Sequence, residues 1–322
     1  MVVLRDTHCK LLGGSHKLLI SSFNEWDPLR EVVVGSATGA NWPSADPVFA
    51  TEHTHTKWKE TPVPSGAVPE WIINEANEDL EILAATLSNL GIIVHRPEEI
   101  DFVKTAGMYN YCPRDRILVA GSTMVDCAMM YPCRDQEIHA LANVVNRAKT
   151  VITMPREQGL VFDAANVCRL GDTWIYLESA SGNRAAYNWL QQHFPTVNIE
   201  RCNFYAGVHI DSTIVPLREG LVMLNASRVT EKNCPRAFDD WDKIWIDDVY
   251  EQKFYQYPYA SKWIAMNVLV VDPHTVIVDK LQKNIIDKLT QYNFTIIPLE
   301  LRHSRTLGGG FHCTTLDIVR NI

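Results

Sequence analysis

No stretch of the sequence approaches the run of about 18 apolar residues that a transmembrane helix needs. Its start, Met1-Val2-Val3-Leu4-Arg5-Asp6, lacks the charged head and long apolar stretch of a secretory signal, and it is not the Arg-rich start of a transit peptide, so the cytoplasm is the expected location. There is no long Lys/Arg run, and the formal net charge is −8. Phosphate backbones and anionic lipid surfaces demand a concentrated basic face, so neither a nucleic-acid partner nor a membrane is expected. The eight cysteines (Cys9, Cys112, Cys127, Cys133, Cys168, Cys202, Cys234 and Cys313) include no Cys-x-x-Cys pair. Scattered thiols in a chain of 322 residues argue for free cysteines rather than a disulfide framework or a zinc site. No Gly-x-Gly-x-x-Gly opens a helix after the first strand, and no Walker loop occurs, so a nucleotide fold has no support. Low-complexity segments and long linkers are absent as well.

What the chain does have is an ordinary globular balance, 46% hydrophobic and 21% charged, and a recurring alternation of short apolar runs with helical stripes. Arg30–Gly35 reads as a strand around Glu31-Val32-Val33-Val34. Residues 41–69 form an excursion with five prolines. Ile72, Ile73, Ala76, Leu80, Leu83, Ala84, Leu87 and Leu90 then make one apolar helical stripe, stopped by Gly91, before a strand over Ile92–His95. Further strands are expected over Ile117–Ala120, Val151–Met154, Thr173–Leu177, Asn198–Cys202, Ile214–Leu217, Gly220–Leu224, Val268–Val271, Val276–Val278 and Thr295–Pro298. Helices are expected over Glu137–Ala148, near Ala185–His193 and near Leu281–Tyr292. This amounts to about five strand–strand–helix–strand modules. Periodicity leaves open whether they form a doubly wound sheet or a closed ring.

Four segments carry unusual polar residues: Gly107–Asp115, Val161–Asn166, Val208–Thr213 and Leu307–Thr315. In the last, three glycines lead directly to Cys313. Glycines permit tight turns and close ligand approach, and a thiol becomes a nucleophile only as thiolate beside an acid/base partner. A loop ahead of a buried cysteine is the plainer reading. Period two would place His209 and Asp211 on one face of an extended strand, as an acid/base unit or as an ordinary surface pair. Asp163, between Phe162 and Ala164, and Asp115, between Arg114 and Arg116 before an apolar run, are carboxylates suited to a buried site or to capping a turn. Glu52-His53-Thr54-His55 offers two imidazoles to a metal, but no further ligands lie nearby in sequence, and a solvated loop is expected there.

Together these segments resemble the amidinotransferases, in particular those acting between arginine and glycine. The resemblance begins at Asn24-Glu25-Trp26-Asp27-Pro28-Leu29 and Val32-Val33-Val34-Gly35. It runs through Pro113-Arg114-Asp115, Phe162-Asp163-Ala164-Ala165, His209-Ile210-Asp211, Ser261-Lys262-Trp263 and Met266-Asn267-Val268-Leu269, and closes on Leu307-Gly308-Gly309-Gly310-Phe311-His312-Cys313. It implies an α/β fold: a single-domain propeller over 1–322 of five ββαβ modules with pseudo-fivefold symmetry, after a loosely ordered extension over about 1–20. It implies Cys313 as nucleophile, His209 as general acid/base and Asp163 as the carboxylate orienting it. Asp115 and Asp211 would grip the guanidinium, Arg228 the substrate carboxylate, and Ser261 would line the substrate. Neither metal nor organic cofactor is implied. The expected partners are small molecules, and the family often forms homodimers. The leading expectation is amidino transfer from arginine to glycine, giving guanidinoacetate and ornithine. The alternatives are another amine acceptor (lysine or a specialised-metabolite intermediate) and deiminase-like hydrolysis. The chain departs from the family pattern at Asn166, Ala260 and Val208, which bears on channel shape and acceptor choice.

Overall fold

The computed structural model describes residues 20–51, 62–203 and 209–320. The expected N-terminal extension (apart from residue 20), the His53/His55 pair and Val208 lie outside the described residues.

The strands pair into five separate three-stranded sheets, with a small two-stranded one between Asn41–Trp42 and Gly66–Ala67. Each three-stranded sheet joins an antiparallel pair to a third, parallel strand. The second module is Ile117–Ala120, Thr123–Asp126 and Val151–Thr153. The third is Val167–Arg169, Thr173–Leu177 and, after the helix Arg184–His193, Asn198–Cys202. The fourth is Ile214–Arg218, Leu221–Asn225 and Asp242–Ile246. The fifth is Leu269–Asp272, Thr275–Asp279 and, after the helix Lys283–Gln291, Thr295–Leu299. The first module is assembled from both ends of the chain. Leu29–Val34 pairs in parallel with Ile93–His95 across the helix Glu70–Asn89, and antiparallel with Thr315–Arg320. No sheet is wider than three strands among the described residues, which rules out a doubly wound sheet.

Apolar packing links the modules in order. One cluster joins Val33, Leu316 and Ile318 of the first to Ile117, Val119 and Met124 of the second. Others join second to third through Leu118, Val125, Val167 and Tyr176, third to fourth through Ile175, Leu177, Val222 and Leu224, and fourth to fifth through Leu217, Met223, Val270 and Val278. The last returns from Leu269 and Ile277 of the fifth to Val32 and Val34 of the first. The helix Glu70–Asn89 forms because Ile72, Ala76, Leu80, Leu83, Ala84 and Leu87 make one buried stripe. It ends where Gly91 takes φ +80° and Ile92 N–H turns back to Leu87 O. No helix among the described residues is long and apolar enough to cross a membrane.

One expected helix differs. The α-helix read over Glu137–Ala148 is a 3₁₀ stretch, Pro132–Leu141, followed by one α-turn, Ala142–Val145. Three residues per turn bring positions i and i+3 into register. Arg134 and Glu137 thereby pair inside the protein at 2.8 and 3.0 Å, a demand stronger than helical propensity.

Candidate active site

The glycine run before Cys313 is dictated by crowding. Gly308 takes φ +82°, and a Cβ there would lie 2.2 Å from the Tyr259 ring. That ring is itself held against Trp42 and Phe49, so the proline-rich excursion ends up shaping the loop. A Cβ on Gly309 would meet Cys112 Sγ at 2.4 Å, and one on Gly310 would meet Asn267 Cβ at 2.6 Å. The close approach lets Cys313 N–H donate to Asn267 Oδ1 at 2.9 Å, while Asn267 Nδ2 donates to Asp211 O at 3.3 Å. Cys313 is buried, with Sγ 3.2 Å from Asp211 Oδ2. The neighbouring Cys112 thiol, burial and the Asp211 charge all hold the Cys313 proton on, and His209 opposes them.

The expected strand over His209 and Asp211 is a turn that ends at Ile214–Arg218. Thr213 N–H and Ile214 N–H both bond Ile210 O and bury Ile210, which closes the turn and leaves the flanking polar side chains facing the thiol. The carboxylates beside His209 are therefore not Asp211. His209 Nε2 lies 3.0 Å from Asp163 Oδ2, and Nδ1 lies 3.6 Å from Asp115 Oδ1. Burial disfavours the imidazolium, but Asp115, the Asp163 bond and Cys313 outweigh it, and the His209 pKa stands well above its ordinary value. Asp163 is fixed from behind by Met130 N–H at 2.7 Å. Asp115 Oδ2 accepts from Arg134 Nη1 at 2.9 Å, and its Oδ1 is buried with no hydrogen-bond partner among the described residues. Burial raises the Asp115 pKa against the pull of His209 and Arg134.

Several neighbours of these residues went unread in the sequence. His312 Nδ1 lies 2.8 Å from Asp211 Oδ2, and its Nε2 lies 3.4 Å from Glu25 Oε2. Burial pushes the Asp211 pKa up, yet the bond from His312 and the charges of His312 and His209 bring it down to about 2. Behind His312 sits a buried ion cluster. Arg169 grips Glu25 at 2.9 and 3.0 Å and Asp317 at 2.7 Å, and Arg114 reaches Asp317 at 2.6 Å. The available signal was the polar residue inside an apolar run, as at Asp317 between Leu316 and Ile318.

At the rim, Arg228 donates to Thr213 Oγ1 at 2.8 Å and approaches Ser261 Oγ at 3.3 Å, so these two expected residues meet, two residues along from Asp211. Asn166 is fully buried and donates to Ser181 Oγ at 2.9 Å, and Ala260 N–H donates to Arg305 O at 3.0 Å. Donor atoms of Asp115, His209 and Cys313 lie within 4.8 Å of one another, a spacing that could hold a metal ion. Without one, the same set is an acid/base-assisted thiol lined by carboxylates, suited to a cationic, electrophilic carbon.

No protein-family model matches the chain. Inosamine-phosphate amidinotransferase 1 of Streptomyces griseus is 40% identical over 337 residues, spanning 94% of this chain and 97% of its own. The mitochondrial glycine amidinotransferase of Xenopus laevis is 28% identical over 350 residues, spanning 94% and 83%. The solved structure of the inosamine-phosphate amidinotransferase of Streptomyces griseus is similar with a TM-score of 0.85 and 38% identity, over 94% of this chain and 97% of that one.

Proposed function

Since this chain belongs to the amidinotransferase family, we propose that it moves the amidino group of L-arginine to an amine other than glycine through an amidino-Cys313 intermediate. The observation that carries the chemistry is a buried thiol with a His–Asp pair on one side and carboxylates on two sides. A guanidinium is a resonance-stabilised cation and a poor electrophile until it is held and oriented. Asp115 Oδ1, buried without a hydrogen-bond partner among the described residues, and Asp211 supply charge-assisted acceptors for its N–H groups. The bound cation also offsets the negative charge that keeps Cys313 protonated.

In this reading the Cys313 proton leaves to solvent as the guanidinium binds, His209 keeps the proton that its raised pKa holds, and the thiolate attacks the guanidinium carbon. The tetrahedral adduct breaks its bond to the ornithine nitrogen, which takes the proton from His209. The acceptor amine then loses a proton to His209 and attacks the amidino-thioether carbon, expelling Cys313. Asp163 keeps His209 in position throughout. The proposed arrangement of the five modules is pseudo-fivefold around this site, in one domain. Arg228, beside Ser261, takes the carboxylate of arginine. Arg228→Ala should lower kcat/KM for arginine about 10- to 200-fold, the worth of a hydrogen bond to a charged group. It should change little for agmatine, which lacks the carboxylate; equal loss on both substrates would assign Arg228 a structural part.

The acceptor reading follows relatedness. The Streptomyces griseus relative at 40% identity is named for inosamine phosphate, whereas the glycine enzyme stands at 28%. An aminocyclitol phosphate is therefore the first acceptor to test. Ornithine release should be measured with arginine plus an aminocyclitol phosphate, lysine or glycine. Turnover only with glycine would restore the glycine acceptor; citrulline without any amine would indicate hydrolysis.

A further inference from the structure

The geometry points to His312 as a positioning residue that clamps Asp211 through Nδ1, so that Asp211 presents its remaining acceptor capacity to the guanidinium beside Cys313. This rests on the arginine-binding reading above. Asp211 Oδ2 is shared: it lies 2.8 Å from His312 Nδ1 and 3.2 Å from Cys313 Sγ. Asp211 stands on a turn, and among the described residues only the Asn267 amide on its carbonyl otherwise ties it to the loop of Cys313. A carboxylate on a turn would rotate toward whichever donor is nearest. His312 stops that rotation because it is fixed elsewhere: its N–H donates to Asn267 O at 3.3 Å, its carbonyl accepts from Arg114 Nε at 2.7 Å, and its Nε2 faces Glu25. Arg114 and Glu25 belong to the buried ion cluster, so the rigidity of that cluster is transmitted through one imidazole to the substrate carboxylate. Such a carboxylate binds well only if it is held before the ligand arrives.

His312 also tempers charge. The titratable groups around the Cys313 thiol are Cys112, Asp211, His209 and Asp115. A carboxylate that loses a strong donor presses its charge more heavily on the remaining one. Removing the His312 bond should thus make Cys313 harder to ionise.

Two substitutions separate the nitrogens of His312. The amide nitrogen of His312→Asn occupies about the place of Nδ1 and keeps the Asp211 bond. That of His312→Gln reaches about the place of Nε2 and keeps only the Glu25 contact. His312→Ala keeps neither. Iodoacetamide alkylation of Cys313 should be followed against pH, and then against arginine as protectant, with circular dichroism and thermal midpoints verifying the fold of each variant. His312→Asn should match the wild-type alkylation profile and need about as much arginine for protection. His312→Gln and His312→Ala should shift the profile to higher pH and need at least about tenfold more arginine, the loss of one hydrogen bond to a charged group. Folded His312→Gln behaving as wild type while His312→Asn fails, or folded His312→Ala matching His312→Asn in both readouts, would overturn the assignment. If arginine fails to protect wild-type Cys313, the arginine-binding reading falls, and the alkylation profiles still decide on His312.

Discussion

Cys313 differs from the other described cysteines in its company rather than in its burial. Cys127 and Cys168 are equally buried, and burial raises their pKa values too. Only Cys313 has an imidazole and a carboxylate facing its sulfur. With arginine alone it should therefore gain an amidino adduct visible by intact-mass spectrometry, and Cys313→Ala should not. An adduct mapped to Cys112, the adjacent thiol, would refute the assignment. His209 and Asp163 share one short contact of 3.0 Å and should act as a unit. Removing either should cost at least about 10²-fold in kcat. The double variant should lose little more than the worse single one; additive losses would separate them. Much of this site was legible because the residue types sit in short distinctive segments. The pairing of Asp163 with His209, 46 positions apart, was expected from the family resemblance alone, and that of Glu25 with His312, 287 apart, went unread, since no periodicity speaks over such distances.

Elements were read best where burial repeats with a fixed period. The helix Glu70–Asn89 and the strands Thr173–Leu177 and Thr275–Asp279 fall where their apolar patterns put them. Among the described residues six strands escaped; Asn41–Trp42, Gly66–Ala67, Thr123–Asp126 and Val167–Arg169 are only two to four residues long, and in the other two charges break the pattern. Asp242–Ile246 carries Asp242 and Lys243 on its exposed part, and Thr315–Arg320 buries Asp317 and Arg320 as ions. The turn at His209 escaped because its bonds to Ile210 O are local choices that period two does not register. The glycine loop offers a test at this scale. A Cβ on Gly310 would sit 2.6 Å from Asn267 Cβ and 2.9 Å from Asn267 O, and backbone cannot step aside as a side-chain tip can. Asn267 Oδ1 holds Cys313 N–H. Gly310→Ala should therefore move Cys313 and, if it is the nucleophile, cut turnover by about 10²-fold or more, the scale of a misplacement near 1 Å. Gly91→Ala strains a φ of +80° with nothing within 4 Å, and should cost about 1 kcal/mol of stability while sparing turnover. Equal activity in the two variants would refute the crowding argument.

Across the whole molecule, one buried cluster ties modules far apart in sequence. Asp317 takes bonds from Arg169, Arg320 and Ser22 and pairs with Arg114, and Arg320 also donates to Val270 O at 3.0 Å in the fifth module. Burial would raise the Asp317 pKa, but three guanidinium groups drive it far below the usual carboxylate range. Glu25 is lowered likewise by Arg169 and His312, and Asp211 to about 2. Carboxylates with depressed folded pKa values stabilise fully above the unfolded value of about 4 and lose that contribution as pH falls through their folded values. Urea midpoints should hold near neutrality and collapse on the acid side of about pH 4. Asp317→Asn leaves three buried cations underpaired and should cost about 3–5 kcal/mol at pH 7, with a shallower acid collapse than the wild type. An unchanged acid slope would remove Asp317 from the cluster's energetics. The same geometry sets the order of events during synthesis. Thr315–Arg320 completes a sheet begun by Leu29–Val34 nearly three hundred residues earlier, and Cys313 directly precedes it. A chain growing from its N-terminus can build its middle modules domain-fashion as they emerge, but the strand that seals the first sheet and the thiol that would attack arginine leave the ribosome together. If Cys313 is the nucleophile, a nascent polypeptide that has not reached residue 313 lacks it, and maturation of the fold and acquisition of reactivity become one event.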